Sequence, residues 1–288
     1  MRADTRPPGK IGVRERARSP EPMTDPKLVR MKDQVYKDER PEAFFDPFYE
    51  RSRTKQPSWV YELVRMATTM YAYVFFRTRC ISSGNVPLSG PVILAPNHFS
   101  FMDHFFAGAF TRRKVRFMAK SQMFKSGRDL MTYVYSHGGV FPVRRGLRDE
   151  KAFGTANTIL AHGGLVCMYC EGGRSRTGRL AESAKPGIGR LALESGAVVV
   201  PVAIHGSSRV RNWKRLHFPK VTVQYGEPFR YEQTEEPNRE QQQVVADEVF
   251  TQIRALYAGL DQHGRAGVAK RVRAARRAAR RGTGHATA

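Results

Sequence analysis

Short apolar segments alternate with amphipathic segments along most of the chain. Six apolar runs predict buried strands, at residues 92–95, 115–119, 139–143, 165–169, 198–204 and 221–225. Segments between and after them predict five helices, at residues 101–111, 128–136, 148–162, 188–194 and 239–257. Strands that alternate with helices are typical of α/β proteins, so we predict a mostly parallel central sheet flanked by helices.

Residues 58–79 form an apolar segment rich in aromatic residues, and its length suits a helix of several turns. Glu62 and Arg65 interrupt the segment, and the uncharged part, residues 66–76, is far shorter than the ~20 residues that span a bilayer. We therefore predict an N-terminal membrane-facing helix that lies on the bilayer or dips into it. An ordinary helix packed on the domain core is the alternative that this pattern leaves open.

The two ends of the chain differ from the alternating part. Residues 1–57 are polar and rich in Pro, with few apolar positions outside an aromatic group at 44–49. They predict a largely disordered tail, and the aromatic group leaves open one short anchor within it. Residues 261–288 are Ala-rich and basic, with basic residues nearly all round a helix, which predicts a tail disordered until it meets an anionic surface. The predicted plan is therefore a tail (1–57), an interfacial helical segment (58–89), a catalytic domain (90–260) and a basic tail (261–288).

The charge balance restricts the class of partner. The 288 residues include 49 Lys and Arg against 26 Asp and Glu, a net charge of +23. Such an excess predicts an anionic partner, which is a nucleic acid, an acidic membrane surface or a phosphorylated small molecule.

The cysteines and the N-terminus indicate the cellular compartment. Cys167 and Cys170 lie in an apolar run, and Cys80 stands apart. We therefore expect buried free thiols in a reducing cytoplasm, and neither a disulfide framework nor a zinc site. The first 22 residues contain no apolar core, so no secretory signal is expected.

A polar motif, N-H-F-S-F-M-D at residues 97–103, directly follows the first central apolar run. On one helix His98 and Asp103 would lie roughly 140° apart and could not meet. If His98 lies in a turn before the helix, its imidazole can fold back onto the Asp103 carboxylate, which leaves the other ring nitrogen free as a base. The alternative is a capping box, in which Ser100 and Asp103 only satisfy free amides at a helix start.

The motif resembles the N-H-x-S-x-x-D signature of PlsC-type glycerolipid acyltransferases, the 1-acyl-sn-glycerol-3-phosphate acyltransferase family. The resemblance extends over roughly residues 90–229, because further blocks follow in the family's order and spacing. These blocks are F-M-A-K at 117–120, G-V-F-P-V-R-R at 139–145, E-G-G-R-S at 171–175 and V-V-P-V-A-I at 199–204.

The resemblance also implies roles for individual residues. It implies that His98 is the general base of acyl transfer, with Asp103 as the residue that orients it. Lys120 and Arg174 match phosphate-binding positions, and Arg145 matches the acceptor-binding arginine. Glu171 matches an acidic residue that holds an acceptor hydroxyl or the neighbouring arginine. Gly172 lies in a loop whose backbone amides can approach an anion closely. No metal is expected.

Three departures from the family pattern bear on the acceptor. Gly173 replaces the usual Thr, and Tyr169-Cys170 stands where Phe-Pro is common. Arg144 stands where the family often has Asp, so the sequence leaves open whether Arg144 or Arg145 enters the site. The acceptor is therefore less firmly predicted than the reaction.

The expected activity is transfer of a fatty acyl group from acyl-CoA or acyl-carrier protein to lysophosphatidic acid, giving phosphatidic acid in phospholipid biosynthesis. No further cofactor is expected, and the expected location is the cytoplasmic face of the cell membrane, as a peripheral or monotopic protein on an anionic surface. One alternative is an enzyme of the same family with a different lipid or polyol acceptor. A basic nucleic-acid-binding protein is a weaker alternative, because the positive charge is concentrated in the tails and no nucleic-acid-binding motif is recognised.

Overall fold

A computed structural model of the protein describes residues 38–145, 149–175, 177–210, 216 and 218–283. Its centre is a seven-stranded sheet with the strand order β1-β7-β6-β2-β5-β3-β4. Neighbouring strands are parallel except for β6 and β7, which pair antiparallel. The strands are β1 (Arg79–Ile81), β2 (Val92–Pro96), β3 (Arg116–Lys120), β4 (Val140–Val143), β5 (Leu165–Cys167), β6 (Val198–His205) and β7 (Thr222–Tyr225).

Helices flank the sheet, which confirms the predicted α/β class. They are α1 (Asp46–Thr54), α2 (Trp59–Val74), α3 (Asp103–Ala109), α4 (Leu130–His137), α5 (Glu150–Ala161), α6 (Gly187–Ser195) and α7 (Arg239–Thr283). All six predicted strands and all five predicted helices are present. The prediction missed β1, whose three residues pair only with β7, far along the chain. So short a strand carries no readable alternation of its own.

The central strand β2 shows why the sheet is buried on both sides. Alternate side chains of a strand point to opposite faces. Ile93 and Ala95 pack with α5, α6 and α7 on one face, whereas Val92 and Leu94 pack with α2 and α3 on the other. The parallel strands β2, β3, β4 and β5 end at the same edge of the sheet, and polar motifs follow each of them.

Within the predicted N-terminal tail, residues 38–57 are folded, and they contain the short aromatic anchor that the sequence left open. The 3-10 turn Glu42–Phe45 leads directly into α1, and Phe45 and Tyr49 are 0% and 1% exposed. These two residues are four apart, so they lie on one side of the helical turn and enter the core together. The Tyr49 hydroxyl donates to the Asp149 carboxylate at 3.1 Å, which joins α1 to the start of α5. Residues 1–37 lie outside the described part of the chain.

The basic C-terminal segment is also helical, contrary to the prediction of a disordered tail. Helix α7 continues to Thr283 and is kinked at Gly264, where φ is 60° and ψ is 168°. Beyond the kink, Val268 and Ala269 pack in one cluster with Ile81 and Leu260. The prediction overlooked this narrow apolar stripe because its side chains are small and stand among arginines. Residues 284–288 lie outside the described part.

Helix α2 has one buried and one exposed apolar side. Ser58 begins it by accepting a hydrogen bond from the Val60 amide, and Val60, Tyr61 and Ala72 are buried against the domain. The opposite side carries an apolar row whose members are 50–68% exposed: Trp59, Leu63, Met66, Met70, Tyr73 and Val74. Among the described residues, every helix is too short or too polar to span a bilayer. That the row faces a membrane stays a prediction.

Candidate active site

The turn after β2 is held in place by Asn97. Its side-chain Oδ1 accepts from the Ile204 amide at 2.7 Å, and its Nδ2 donates to the Ile204 carbonyl at 3.2 Å. The buried amide therefore continues the pairing of β2 with β6 after the backbone has turned away from the strand. This fixes the point from which the next residue, His98, leaves the sheet.

His98 and Asp103 meet as the sequence predicts. Nδ1 of His98 lies 2.9 Å from Oδ2 of Asp103, and the two side chains are 5% and 0% exposed. The same oxygen accepts from the backbone amides of Phe99 at 2.6 Å and Ser100 at 2.7 Å. Asp103 begins α3, so its carboxylate both closes the turn and pairs with the imidazole. The capping and the pairing interpretations therefore hold at once, and Ser100 Oγ accepts from the Met102 amide.

The surroundings keep the His98 imidazole neutral. Burial lowers the pKa of His98, and the nearby Arg174 and Arg145 guanidiniums lower it further, while Asp103 opposes both effects. The hydrogen bond to the carboxylate places the ring proton on Nδ1. Nε2 then carries a lone pair, which is the form that a general base requires.

The loop 171–175 is bound to the backbone of His98 on both sides. Oε1 of Glu171 accepts from the His98 amide at 2.9 Å, and the Ser175 amide donates to the His98 carbonyl at 2.8 Å. Burial raises the pKa of Glu171 to about 7, and the Asp103 charge adds to the increase. The block at 171–175 and the motif at 97–103 are thus directly joined.

Arg145, and not Arg144, faces this loop. Nη1 of Arg145 lies 3.6 Å from the position that a Cβ at Gly173 would occupy. Arg144 instead donates its amide to Asp149 at 2.7 Å and directs its guanidinium to Glu42 at 3.8 Å. The side chains of consecutive residues therefore diverge, and only Arg145 joins Arg174 near His98.

Gly172 has φ of 66°, the left-handed conformation that the tight loop needs. A Cβ at this position would lie 2.9 Å from Cγ of Lys185. A side chain at this position would therefore be strained and crowded. The position of Gly172 is as predicted, and its amide role stays a prediction.

Lys120 ends β3 beside Val143 of β4, at the same edge of the sheet. Strand β5 separates β3 from β2, and no contact of Lys120 with His98 or Asp103 occurs among the described interactions. Its role in phosphate binding stays a prediction.

Two residues at the centre of the site were not predicted. The Tyr169 ring stacks on the His98 imidazole, with centroids 3.9 Å apart and planes 23° apart. The Tyr169 hydroxyl lies 2.8 Å from Nδ1 of His104. A signal existed for both, because His104 directly follows Asp103 and Tyr169 precedes Glu171 by two residues. Sequence alone does not show that these positions meet.

The two cysteines near the site are structural, and the Cys167 thiol neighbours the Tyr169 hydroxyl. Cys167 and Cys170 are buried, and burial raises the pKa of both thiols, as expected for structural cysteines. Across the described ranges, no group of three or more His, Cys, Asp or Glu side chains is placed to hold a metal ion.

Comparisons with known proteins agree with the motif blocks. A family model described as Acyltransferase matches residues 77–205. The chloroplastic 1-acyl-sn-glycerol-3-phosphate acyltransferase LPAT1 of Arabidopsis thaliana is 26% identical over 153 residues, which is 51% of this chain and 41% of that relative. The chain thus spans less than half the length of this curated relative.

A solved structure has a similar fold. It is the 1-acyl-sn-glycerophosphate (LPA) acyltransferase PlsC from Thermotoga maritima, with a TM-score of 0.52 and 21% identity over 80% of this chain and 87% of that chain. At this identity the likeness concerns the fold. Together with the family model and the curated relative, it confirms the resemblance stated from the sequence.

Proposed function

We propose that the chain transfers a fatty acyl group from a thioester to the free hydroxyl of lysophosphatidic acid, giving phosphatidic acid. The match of residues 77–205 to the Acyltransferase family model supports this proposal. The observation that carries the proposal is the buried His98–Asp103 pair at 2.9 Å, with the Arg145 and Arg174 guanidiniums close enough to lower the pKa of His98. A neutral base beside fixed positive charge suits an acceptor that has both a hydroxyl and a phosphate.

In the proposed step, Nε2 of His98 removes the proton of the acceptor hydroxyl as the oxygen attacks the thioester carbonyl. Asp103 stabilises the imidazolium that forms. The tetrahedral intermediate collapses with cleavage of the carbon–sulfur bond, and the imidazolium returns its proton to the departing thiolate. The acceptor oxygen is the nucleophile, so no enzyme-bound acyl intermediate is required.

We propose acyl-CoA or acyl-carrier protein as the donor, with no further cofactor. Both donors are acidic, and the chain carries a net charge of +23, so charge alone does not choose between them. Lys120, Arg145 and Arg174 are the proposed contacts for the phosphate of the acceptor. Glu171 is proposed to hold an acceptor hydroxyl near His98.

The test is a panel of acceptors offered to the purified protein with one radiolabelled acyl-CoA, then with the matching acyl-carrier protein. His98→Ala should lower transfer to lysophosphatidic acid by about 10²–10⁴-fold, the usual contribution of a general base. His162→Ala is the matched control, because His162 lies at the end of α5, away from the site. Near-normal turnover by folded His98→Ala protein would refute the assignment of the base.

A different lipid or polyol acceptor is the second candidate within the same family. It is favoured by Gly173, which stands where a Thr side chain is usual and whose missing Cβ would lie 3.6 Å from Nη1 of Arg145. Arg174→Ala distinguishes the two candidates. If the acceptor carries a phosphate, the variant should raise KM for the phosphorylated acceptor far more than for its unphosphorylated analogue. Arg230 is exposed on the segment between β7 and α7, and Arg230→Ala should change neither KM.

We further propose that the protein works as a peripheral or monotopic protein on the cytoplasmic face of an anionic membrane. Two surfaces support this location. The apolar row of α2 exposes large side chains that the domain itself leaves uncovered. Residues 265–288 contain eight basic and no acidic residues.

Four of these basic residues form what we call the basic row of α7, exposed on the side of the helix opposite Val268 and Val272: Lys270, Arg273, Arg277 and Arg281. The two surfaces approach each other near Arg77, where the Arg265 guanidinium donates to the Arg77 carbonyl at 2.8 Å, three residues past the end of α2. An anionic bilayer would contact both.

Binding of the full chain to phosphatidylcholine vesicles with and without phosphatidylglycerol tests the location. Arg273→Glu/Arg277→Glu should weaken binding to the anionic vesicles by about 30-fold or more, since each basic residue near anionic lipid contributes about 1 kcal/mol. Arg230→Glu/Arg239→Glu makes the same charge change elsewhere and should bind like wild type. Met66→Glu/Met70→Glu should weaken binding to both kinds of vesicle. Equal binding by all variants would contradict the proposed location.

A further inference from the structure

The His98 ring is fixed by two different kinds of contact. Its edge is bound to Asp103, with 2.9 Å between Nδ1 and Oδ2. Its face lies on Tyr169, with the centroids 3.9 Å apart. The imidazole is attached through its Cβ–Cγ bond, and rotation about this bond decides where Nε2 points. The hydrogen bond at the ring edge and the flat neighbour on the ring face restrain this rotation together, so the Tyr169 contact helps to set the direction of Nε2.

Tyr169 is itself held by the helix that supplies Asp103. Its ring is buried, at 8% exposure, and its hydroxyl lies 2.8 Å from Nδ1 of His104. His104 directly follows Asp103 in α3. One turn of this helix thus contacts the imidazole edge through Asp103 and, through His104 and Tyr169, the imidazole face. The four side chains form a closed set of contacts around His98.

The protonation states of the pair suit a stable hydrogen bond. Burial, followed by the charges of His98, Arg174 and Arg145, lowers the pKa of His104 to about 3. Burial raises the pKa of Tyr169 well above its usual value. At neutral pH the phenol therefore remains the donor, and Nδ1 of the neutral His104 remains the acceptor.

We propose that Tyr169 and His104 are positioning residues for acyl transfer. Tyr169 sets the plane of the His98 imidazole so that Nε2 is aimed at the acceptor hydroxyl, and His104 fixes Tyr169. This inference rests on the proposed function. It assigns a purpose to one departure from the family pattern, because the Phe that is common at this position can stack on His98 but has no hydroxyl to bind His104.

Substitution of Tyr169 separates positioning from general stability. Tyr169→Phe keeps the ring stack but loses the hydrogen bond to His104, so kcat should fall about 5-fold. Tyr169→Leu loses both contacts, so kcat should fall about 10²-fold. In both variants KM should change less than about twofold. Tyr225→Phe is the matched control. Its buried hydroxyl also makes one hydrogen bond, to the Ala107 carbonyl at 2.9 Å, without any contact to His98. It should destabilise the fold as much as Tyr169→Phe while kcat stays unchanged.

Substitution of His104 tests the second link. His104→Leu should lower kcat as far as Tyr169→Phe does, and the double variant should fall no further than the worse single variant. His104→Gln, which offers an oxygen to accept from the phenol, should restore most of the activity. Additive losses in the double variant, or no rescue by Gln, would overturn the role of His104.

A measurement without substrate separates this inference from the proposed function. The Tyr169 ring should shift the NMR signals of the His98 ring protons upfield, and Tyr169→Leu should move these signals downfield, whereas Tyr225→Phe should not. If wild type transfers no acyl group to any acceptor while the NMR shifts appear, the proposed function fails and the contact stands. If wild type is active but folded Tyr169→Leu keeps its kcat, the positioning role is wrong.

Discussion

The backbone amide of His98 donates a 2.9 Å hydrogen bond to Oε1 of Glu171, a residue 73 positions further along the chain. Since the Ser175 amide also donates to the His98 carbonyl, the loop after β5 is bound to the residue proposed as the general base. Any displacement of this loop therefore moves His98 as well. The acidic residue of the site has a structural function in addition to its proposed contact with the acceptor.

Glu171 should make the stability of the protein depend on pH near neutrality. Burial raises its pKa from 4.5 to about 7, so the folded protein keeps this proton at pH values where the unfolded chain has released it. The resulting contribution to the free energy of unfolding is complete below the unfolded pKa and is lost as the pH rises through 7. Urea unfolding should show that wild type loses stability relative to Glu171→Gln between about pH 5 and pH 8.

Glu182→Gln provides the control for this measurement, because Glu182 is an exposed carboxylate on a neighbouring loop. Its stability should follow that of wild type across the same range. A constant difference between wild type and Glu171→Gln at every pH would mean that Glu171 is ionised alike in the folded and unfolded states.

Asp103→Asn should lower the rate and shift its pH dependence. The Asp103 charge raises the pKa of His98 against the effect of burial, so its removal lowers that pKa further. The acidic limb of kcat/KM should therefore move to lower pH. Its plateau should fall about 10²–10⁴-fold, since a neutral amide neither stabilises the imidazolium nor fixes the proton on Nδ1. A plateau within threefold of wild type, with the fold intact by circular dichroism, would exclude Asp103 as the orienting residue.

Asn97→Ala should destabilise the fold through the Ile204 peptide. The substitution leaves the buried amide and carbonyl of Ile204 without the two hydrogen bonds that Asn97 makes to them. Each buried polar group left unsatisfied costs about 1–3 kcal/mol, so the free energy of unfolding should fall by about 2–4 kcal/mol. Asn85→Ala removes a more exposed amide that donates to the Gly226 carbonyl at 2.9 Å and should cost less than about 1 kcal/mol. Similar losses for the two variants would contradict this account.

Two glycines of α7 should respond in opposite directions to the same substitution. Neither Gly259 nor Gly264 has any atom within 4 Å of an added Cβ, so only the backbone conformation distinguishes them. Gly259 is in the helical conformation, and Gly259→Ala should raise the free energy of unfolding by up to about 1 kcal/mol. Gly264 has φ of 60° and ψ of 168°, and Gly264→Ala should lower it by about 1–3 kcal/mol. Thermal unfolding of the two variants provides the comparison.

The parts of the site that the sequence predicts are those defined by local geometry. The meeting of His98 with Asp103 follows from a strand, a turn and a helix within seven residues. Whether Arg144 or Arg145 enters the site does not follow from local sequence. It depends on the direction in which the chain leaves β4 and on the position of the loop after β5. Tyr169 escapes prediction for a similar reason, since its hydrogen bond joins the segment after β5 to α3.

The terminal segments show a second limit of sequence patterns. Phe45 and Tyr49 are sparse apolar residues in a polar segment, and only the cavity that other elements leave for them decides that they are buried. Val268 and Ala269 are likewise small, and they are buried because Ile81 and Leu260 offer a matching surface. Average polarity predicts a tail in both places, whereas burial depends on partners that are distant in sequence.

The C-terminal segment of α7 both displays its basic row and shields Ile81, Ala203 and Leu260 from water. A chain truncated at Gly264 would lose eight positive charges and would also expose an apolar surface along β1, through which copies of the protein would aggregate. In a truncated protein, weaker lipid binding and aggregation would therefore be confounded. Charge reversal on the outer side of an intact helix separates the two effects.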